Sequence, residues 1–291
     1  MKNYDFCFGC GFSCGVTQAL RAANLQFASL PFDWTATPSF PKAARMAASD
    51  FAHWLDREDL ELIDVRHSGI NRRVYFNRRT GFGFVHDFSL FKSPDDAYAE
   101  VKAKYERRAE RFRECLESAK TALAVCVEWP LLGRLRDETL AETKRVFETR
   151  FPGVKFDLLY FHVAEGASAA VVESDRDGVT VVGCEYRKYL DDGGVHHEID
   201  NSQILAFLKA NYSAPDPRSE EEKRRYDEGW RRQDRARWHG RNAFETMVNR
   251  SAFRLYLKLE RFLARYDTAL ERFRRLDDFG HARLDCLEVI A

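Results

Sequence analysis

"FGCGFSCGVTQALRAANLQFASLPFDW", from Phe8 to Trp34, decides how this chain is read. Its start looks like a short strand running into a glycine-rich turn. Gly9, Gly11 and Gly15 surround the cysteines there and allow close backbone approach. From about Cys14 the apolar residues fall at helix spacing, as Val16, Ala19, Leu20 and Ala23. Ser13 suits an N-cap. A strand, a turn and a helix in that order place the Cys14 thiol at a helix N-terminus. Unpaired N–H groups and partial positive charge favour an anion there. The thiolate is the attacking species of cysteine chemistry. Cys14 is therefore a candidate nucleophile, and its own N–H is a candidate oxyanion donor. Two other readings stand beside it. Cys7, Cys10 and Cys14 have ligand-like spacing for a metal, and Cys14 can equally be a small buried side chain.

Outward from that stretch, the bulk properties narrow the classes. The 291 residues suffice for one large domain, or a domain with an appendage. Hydrophobic residues at 45% and charged residues at 32% describe a globular chain rather than a disordered one. Lys plus Arg equals Asp plus Glu at 46 each, so net charge gives no reason to expect nucleic acid or an anionic membrane. No signal peptide or membrane-spanning run is visible, which leads to the expectation of a cytoplasmic protein. The odd count of 7 cysteines, widely spaced after Cys14, argues against a disulfide framework. No phosphate-cradling glycine loop is present, so no organic cofactor is expected.

Along the chain, "SLPFDW" reads as extended around Pro31, and residues 42–58 read as a helix. "VYFNRRTGFGFVHDF", Val74 to Phe88, reads as a hairpin turning at Arg79-Thr80-Gly81. Strict alternation would put Phe82, Phe84, His86 and Phe88 on one face and Asp87 on the other. A charged helix over about Asp95–Lys120 has Ala99, Tyr105, Phe112, Leu116 and Ala119 on its apolar stripe. "TALAVCVEW" and "KFDLLYFHVAE" look like buried strands flanking the helix "LRDETLAETKRVFETRF". A further hairpin turns at Asp175–Gly178. Strands alternating with helices indicate an α/β layer with parallel pairing. "SAPDPRS", Ser213 to Ser219, is the linker candidate, giving an α/β domain over 1–212 and a charged helical extension over 213–291. Ser251 to Leu276 reads as an amphipathic helix suited to core packing or a dimer contact. Arg231, Arg232, Arg235, Arg237 and Arg241, with Trp230 and Trp238, could touch RNA, single-stranded DNA or an anionic glycan. A solvated helix with charge pairs such as Glu228 with Arg232 is the simpler reading.

Of the 8 histidines, His86 stands out, because it sits on a strand face made otherwise of phenylalanine. A nonpolar wall fixes an imidazole and lowers the local dielectric. His162 reads as a core histidine, and His196 and His197 as turn residues. "GCGFSCGVTQALR", "LPFDW" and "FVHDF" together resemble a bacterial family of papain-like cysteine peptidases. Relatives of that family in aminoglycoside biosynthesis are thought to act as acyltransferases. Gly11, Cys14, Leu20 and Arg21 match the family's opening block, Pro31 to Trp34 its second, and His86 to Phe88 its third. The family's Ser-Leu before the glycine is Gly9-Cys10 here, and no oxyanion-hole glutamine precedes Cys14. The resemblance implies a papain-like α/β (α+β) domain with Cys14 as nucleophile and His86 as base. It implies a small-molecule, peptide or carrier-bound acyl substrate touching Ser13, Arg21 and Trp34. Asp33 and Asp87 are the carboxylates in matching blocks that would orient the imidazole, although a buried Asp33 could equally cap a helix or pair with Arg21. Alternation turns Asp87 away from His86 unless a bulge re-aims it.

Overall fold

The computed structural model describes residues 1–12, 14–66, 72–128, 133–164, 167, 169–191, 194–199 and 201–225. Ser13, His67, the arginine run, the amphipathic C-terminal helix and Cys286 lie outside them. The chain divides into two units, Met1–Asp216 and Pro217–Ala291.

The first unit opens with β1 (Lys2–Asn3), β2 (Phe6–Gly9) and α1 (Gly15–Ala22). Then come β3 (Thr35–Ala36), α2 (Phe40–Ala48), β4 (Leu60–Arg66), β5 (Arg72–Asn77), β6 (Gly83–Ser89) and α3 (Pro94–Ser118). After these follow β7 (Thr121–Val127), α4 (Asp137–Arg150), β8 (Lys155–Val163), β9 (Val171–Arg176) and β10 (Val179–Cys184). A hairpin of β11 (Tyr186–Asp191) and β12 (Gly194–Ile199), then α5 (Asn201–Asn211) and β13 (Tyr212–Ser213), complete it. His196 and His197, expected in a turn, belong to β12.

The main sheet has the order β2-β7-β8-β10-β9, with β9 antiparallel at its edge and the other strands parallel. Its central strands are apolar on both faces, as in Ala122 to Val127, because helices cover both sides. One face carries Phe8, Cys10, Ala124, Cys126, Leu158 and Tyr160, which pack with residues of α2, α3 and α4. The other carries Cys7, Leu123, Val125, Leu159 and Val182 with residues of α1 and α5. A second, antiparallel sheet has the order β3-β6-β5-β4. The class is mixed α/β, consistent with the expected papain-like α+β domain. No helix among the described residues is long and apolar enough to cross a membrane.

Two expected elements differ. The helix expected over 42–58 stops at Ala48. Asp50, Phe51 and His53 then take positive φ, which turns Phe51 and Trp54 into the aromatic cluster around Phe32. Asn77 caps this turn by donating to the carbonyls of His53 and Trp54 at 2.8 and 2.9 Å. Ring burial there outweighs continued helix. Leu30 is extended, as a residue before proline should be, but Pro31–Trp34 coil into a single 3₁₀ turn. The α3 stripe runs through Ala97, Val101, Tyr105, Phe112 and Leu116, while Ala99 is exposed. In the second unit a helix begins at Glu220, where Ser219 and Glu222 form a reciprocal cap.

Candidate active site

The turn between β2 and α1 is built by close backbone approach. After Gly9 the chain keeps following β7, with Cys10 N–H donating to Val125 O at 2.9 Å and Phe12 N–H to Val127 O at 3.0 Å. A Cβ on Gly11 would lie 2.8 Å from the Val127 nitrogen, so only glycine fits. Cys14 occupies the cap position of α1 with φ −62° and ψ −10°, half-buried, and its carbonyl accepts from Gln18 N–H at 3.0 Å. The first-turn amides of such a helix have no acceptor inside the helix itself and favour negative charge. Val16, Ala19 and Leu20 bury one side of α1. Cys14, Thr17 and Arg21, at helical spacings of three and seven, share the other.

That other side meets the Pro31–Trp34 turn. Asp33 is fully buried and accepts from Thr17 Oγ1 at 3.2 Å, Arg21 Nη2 at 3.2 Å, Gln26 Nε2 at 2.8 Å and Leu30 N–H at 2.8 Å. Burial pushes its carboxyl up, against the opposing pull of the Leu30 N–H, Gln26 and Arg21. Arg21 also lies 5.6 Å from the centroid of the Trp34 ring. The His86 ring stands edge-on to Trp34 at 6.3 Å. Arg21, on the face of α1 that carries Cys14, thus borders Asp33 and Trp34, and Trp34 borders His86.

His86 does not sit on the phenylalanine face. Phe82, Phe84 and Phe88 are buried, whereas His86 is exposed. The cause is a bulge in β6. Tyr75 of β5 pairs with Phe84 and Arg73 with Phe88, so Val74 alone faces three residues of β6. Those three are Val85, His86 and Asp87, and the extra length breaks the alternation. Arg72 Nε donates to the His86 carbonyl at 2.9 Å within the bulge. The bulge does not aim Asp87 at the imidazole. Its carboxylate is buried against α3, where it accepts from Tyr105 Oη at 2.7 Å and pairs with Lys104. Asp33 is likewise engaged by α1 and the loop after it, so both carboxylates named as orienters bind other groups.

The sequence reading missed one polar cluster, at the carboxyl end of the parallel strands. Glu128, directly after β7, is buried and accepts from Tyr160 Oη at 3.3 Å. His162 lies 2.8 Å from Val163 O through Nδ1 and 2.9 Å from Glu173 through Nε2. Arg134 Nε also donates to Glu173 at 3.2 Å. The one available signal was an acid ending an otherwise apolar run, "ALAVCVE".

The metal reading fails on geometry. Cys7 and Cys10 belong to cores on opposite faces of the sheet. Burial pushes the Cys7 thiol up to about 12 and the Cys10 thiol well above its ordinary value. Among the described residues no three His, Cys, Asp or Glu side chains are grouped to hold a metal.

No solved structure matches the chain. "Uncharacterized protein R408" of Acanthamoeba polyphaga mimivirus is 28% identical over 134 residues, which are 41% of this chain and 60% of that protein. The chain therefore spans less than two thirds of that relative's length. Residues 6–129, from β2 to just past β7, match the model of a family described as "Putative papain-like cysteine peptidase", which supports a cysteine-peptidase-like role.

Proposed function

We propose that this protein performs cysteine-dependent acyl chemistry, with Cys14 as nucleophile and His86 as its base. The observation that supports the reading is Cys14 at the start of α1, on the helix side shared by Arg21, which borders Trp34 as Trp34 borders His86. In this mechanism the imidazole takes the Cys14 proton, and the thiolate attacks the carbonyl carbon of the substrate. The Cys14 N–H holds the oxyanion. Collapse expels the leaving group, which receives the proton from His86, and a thioester remains. Water then completes a hydrolysis, and an amine completes an acyl transfer. Asp33 acts as a positioning residue, because it joins α1 to the turn that presents Trp34. Arg21 and Trp34 line the substrate.

Iodoacetamide labelling of the full chain against pH tests this reading. Cys14 is expected to react well below the value of about 8.5 of a free thiol, with His86→Ala moving the midpoint upward and Cys14→Ser abolishing the label. A midpoint near that of a free thiol in both wild type and His86→Ala overturns the reading and leaves a binding role without catalysis.

A further inference from the structure

Three arginines from two helices converge on the loop that carries Asp33. Arg21 of α1 donates to Ser29 Oγ at 3.0 Å and to Asp33 at 3.2 Å. Arg111 of α3 donates to Ser29 O at 2.8 Å. Arg108, one turn earlier on α3, lies 5.0 Å from the centroid of the Tyr105 ring, and its charge acts on Asp33. Among the described residues, Asp33 is the carboxylate that Arg21 and Arg108 share, and it already accepts from Thr17, Gln26 and Leu30. The other nearby acid, Asp87, is taken by Lys104 and Tyr105. Cations therefore outnumber anions here.

Two guanidinium nitrogens are also left over. Arg21 Nε and Arg108 Nη1 are buried with no hydrogen-bond acceptor among the described residues. A buried charged donor without an acceptor is expensive, and in native proteins it points to a missing partner. A guanidinium fork matches the geometry of phosphate and carboxylate.

We propose that Arg21, Arg108 and Arg111 bind an oxyanionic group, a phosphate or a carboxylate, on the substrate that reacts at Cys14. The inference rests on the acyl chemistry proposed above. Arg21 follows Cys14 by seven residues, which is about 10 Å along a helix at ~1.5 Å per residue. The anionic group would then sit about that far from the reacting carbonyl, with the indole of Trp34 beside it.

The test uses the full chain, titrated with inorganic phosphate and with acetate at ionic strength held constant by chloride, and follows thermal unfolding. At least one anion is expected to raise the melting temperature saturably. A response to phosphate alone assigns a phosphate-bearing substrate, to acetate alone a carboxylate, and to both an oxyanion of either kind. Arg108→Gln should weaken the affinity at least tenfold, and Arg108→Lys, which keeps the charge but loses the fork, should restore only part. If Arg108→Gln does not fold, Arg111→Gln carries the comparison. No shift with either anion, or an equal shift in the variants, overturns the proposal. The labelling profile of Cys14 is recorded on the same samples. Low-pH labelling without an anion response sinks the anion site and leaves the thiol chemistry standing. An anion response lost in Arg108→Gln, with Cys14 labelling like a free thiol, keeps the anion site and sinks its link to catalysis.

Discussion

Replacing Asp33 by alanine removes the acceptor that ties α1 to the Pro31–Trp34 turn. Four groups lose an acceptor: the Leu30 N–H, which has no other among the described residues, and the Thr17 hydroxyl, the Arg21 guanidinium and the Gln26 amide, which keep the carbonyl of residue 33, Ser29 and the Ala28 carbonyl. Asp33 is fully buried and the Arg21 side chain only 13% exposed, so water cannot replace the carboxylate freely. Leaving one buried donor unsatisfied costs about 1–3 kcal/mol. Breaking a buried ion pair by removing one member costs about 3–5 kcal/mol. These figures overlap rather than add, because Arg21 retains Ser29. The expected loss is therefore about 3–5 kcal/mol, read as a lower urea midpoint at unchanged slope. Asp33→Asn keeps one oxygen acceptor, and a rotated Gln26 amide can meet its new N–H, so that variant should lose about 1–2 kcal/mol. A double-mutant cycle with Arg21→Ala isolates the pair. If Asp33→Ala costs under about 1 kcal/mol, the bonds around this carboxylate do not hold the turn on the helix, and the route by which Trp34 is positioned is wrong.

Further consequences can be checked in the same way. Gly11→Ala should destabilise the fold by about 1–3 kcal/mol, because its Cβ meets backbone that cannot rotate away, and should slow alkylation of Cys14. Phe112→Ala empties a position in ring contact with Phe6, Phe8, Phe32 and Phe51 and should cost about 3–5 kcal/mol in chemical denaturation. Asp5 accepts from the N–H groups of Thr121 and Lys120, which hold its carboxyl below its ordinary value. A lowered folded value means that its contribution is present above the unfolded value of about 3.8 and is lost as pH falls through the folded one. Asp5→Asn should accordingly flatten the acid limb of the stability curve, while an unchanged limb would separate Asp5 from acid unfolding.

The parallel strands were legible because a strand covered on both faces is an unbroken apolar run, as "ALAVCV" and "LLYF" are. Gly81 and Gly178 marked their turns because both occupy positive φ. The position of His86 was not legible. A bulge is a mismatch between two strands, and β6 carries no sign of how many residues β5 will offer it. The fate of Asp87 was hidden for a related reason, whereas a buried Asp33 paired with Arg21 was one of the alternatives readable from the sequence. The partners of Asp87 are Lys104 and Tyr105 on α3, outside its own hairpin. The same holds for His162, whose partner Glu173 belongs to an edge strand two places away in the sheet.

The widened segment of β6 lifts position 86 out of the packed interior. Phe84 and Phe88 fill the interior on either side of it, and the imidazole between them borders solvent. Substitution at position 86 therefore leaves the interior filled. The side chain there can change without emptying the core, a freedom denied to the immersed aspartate at position 33.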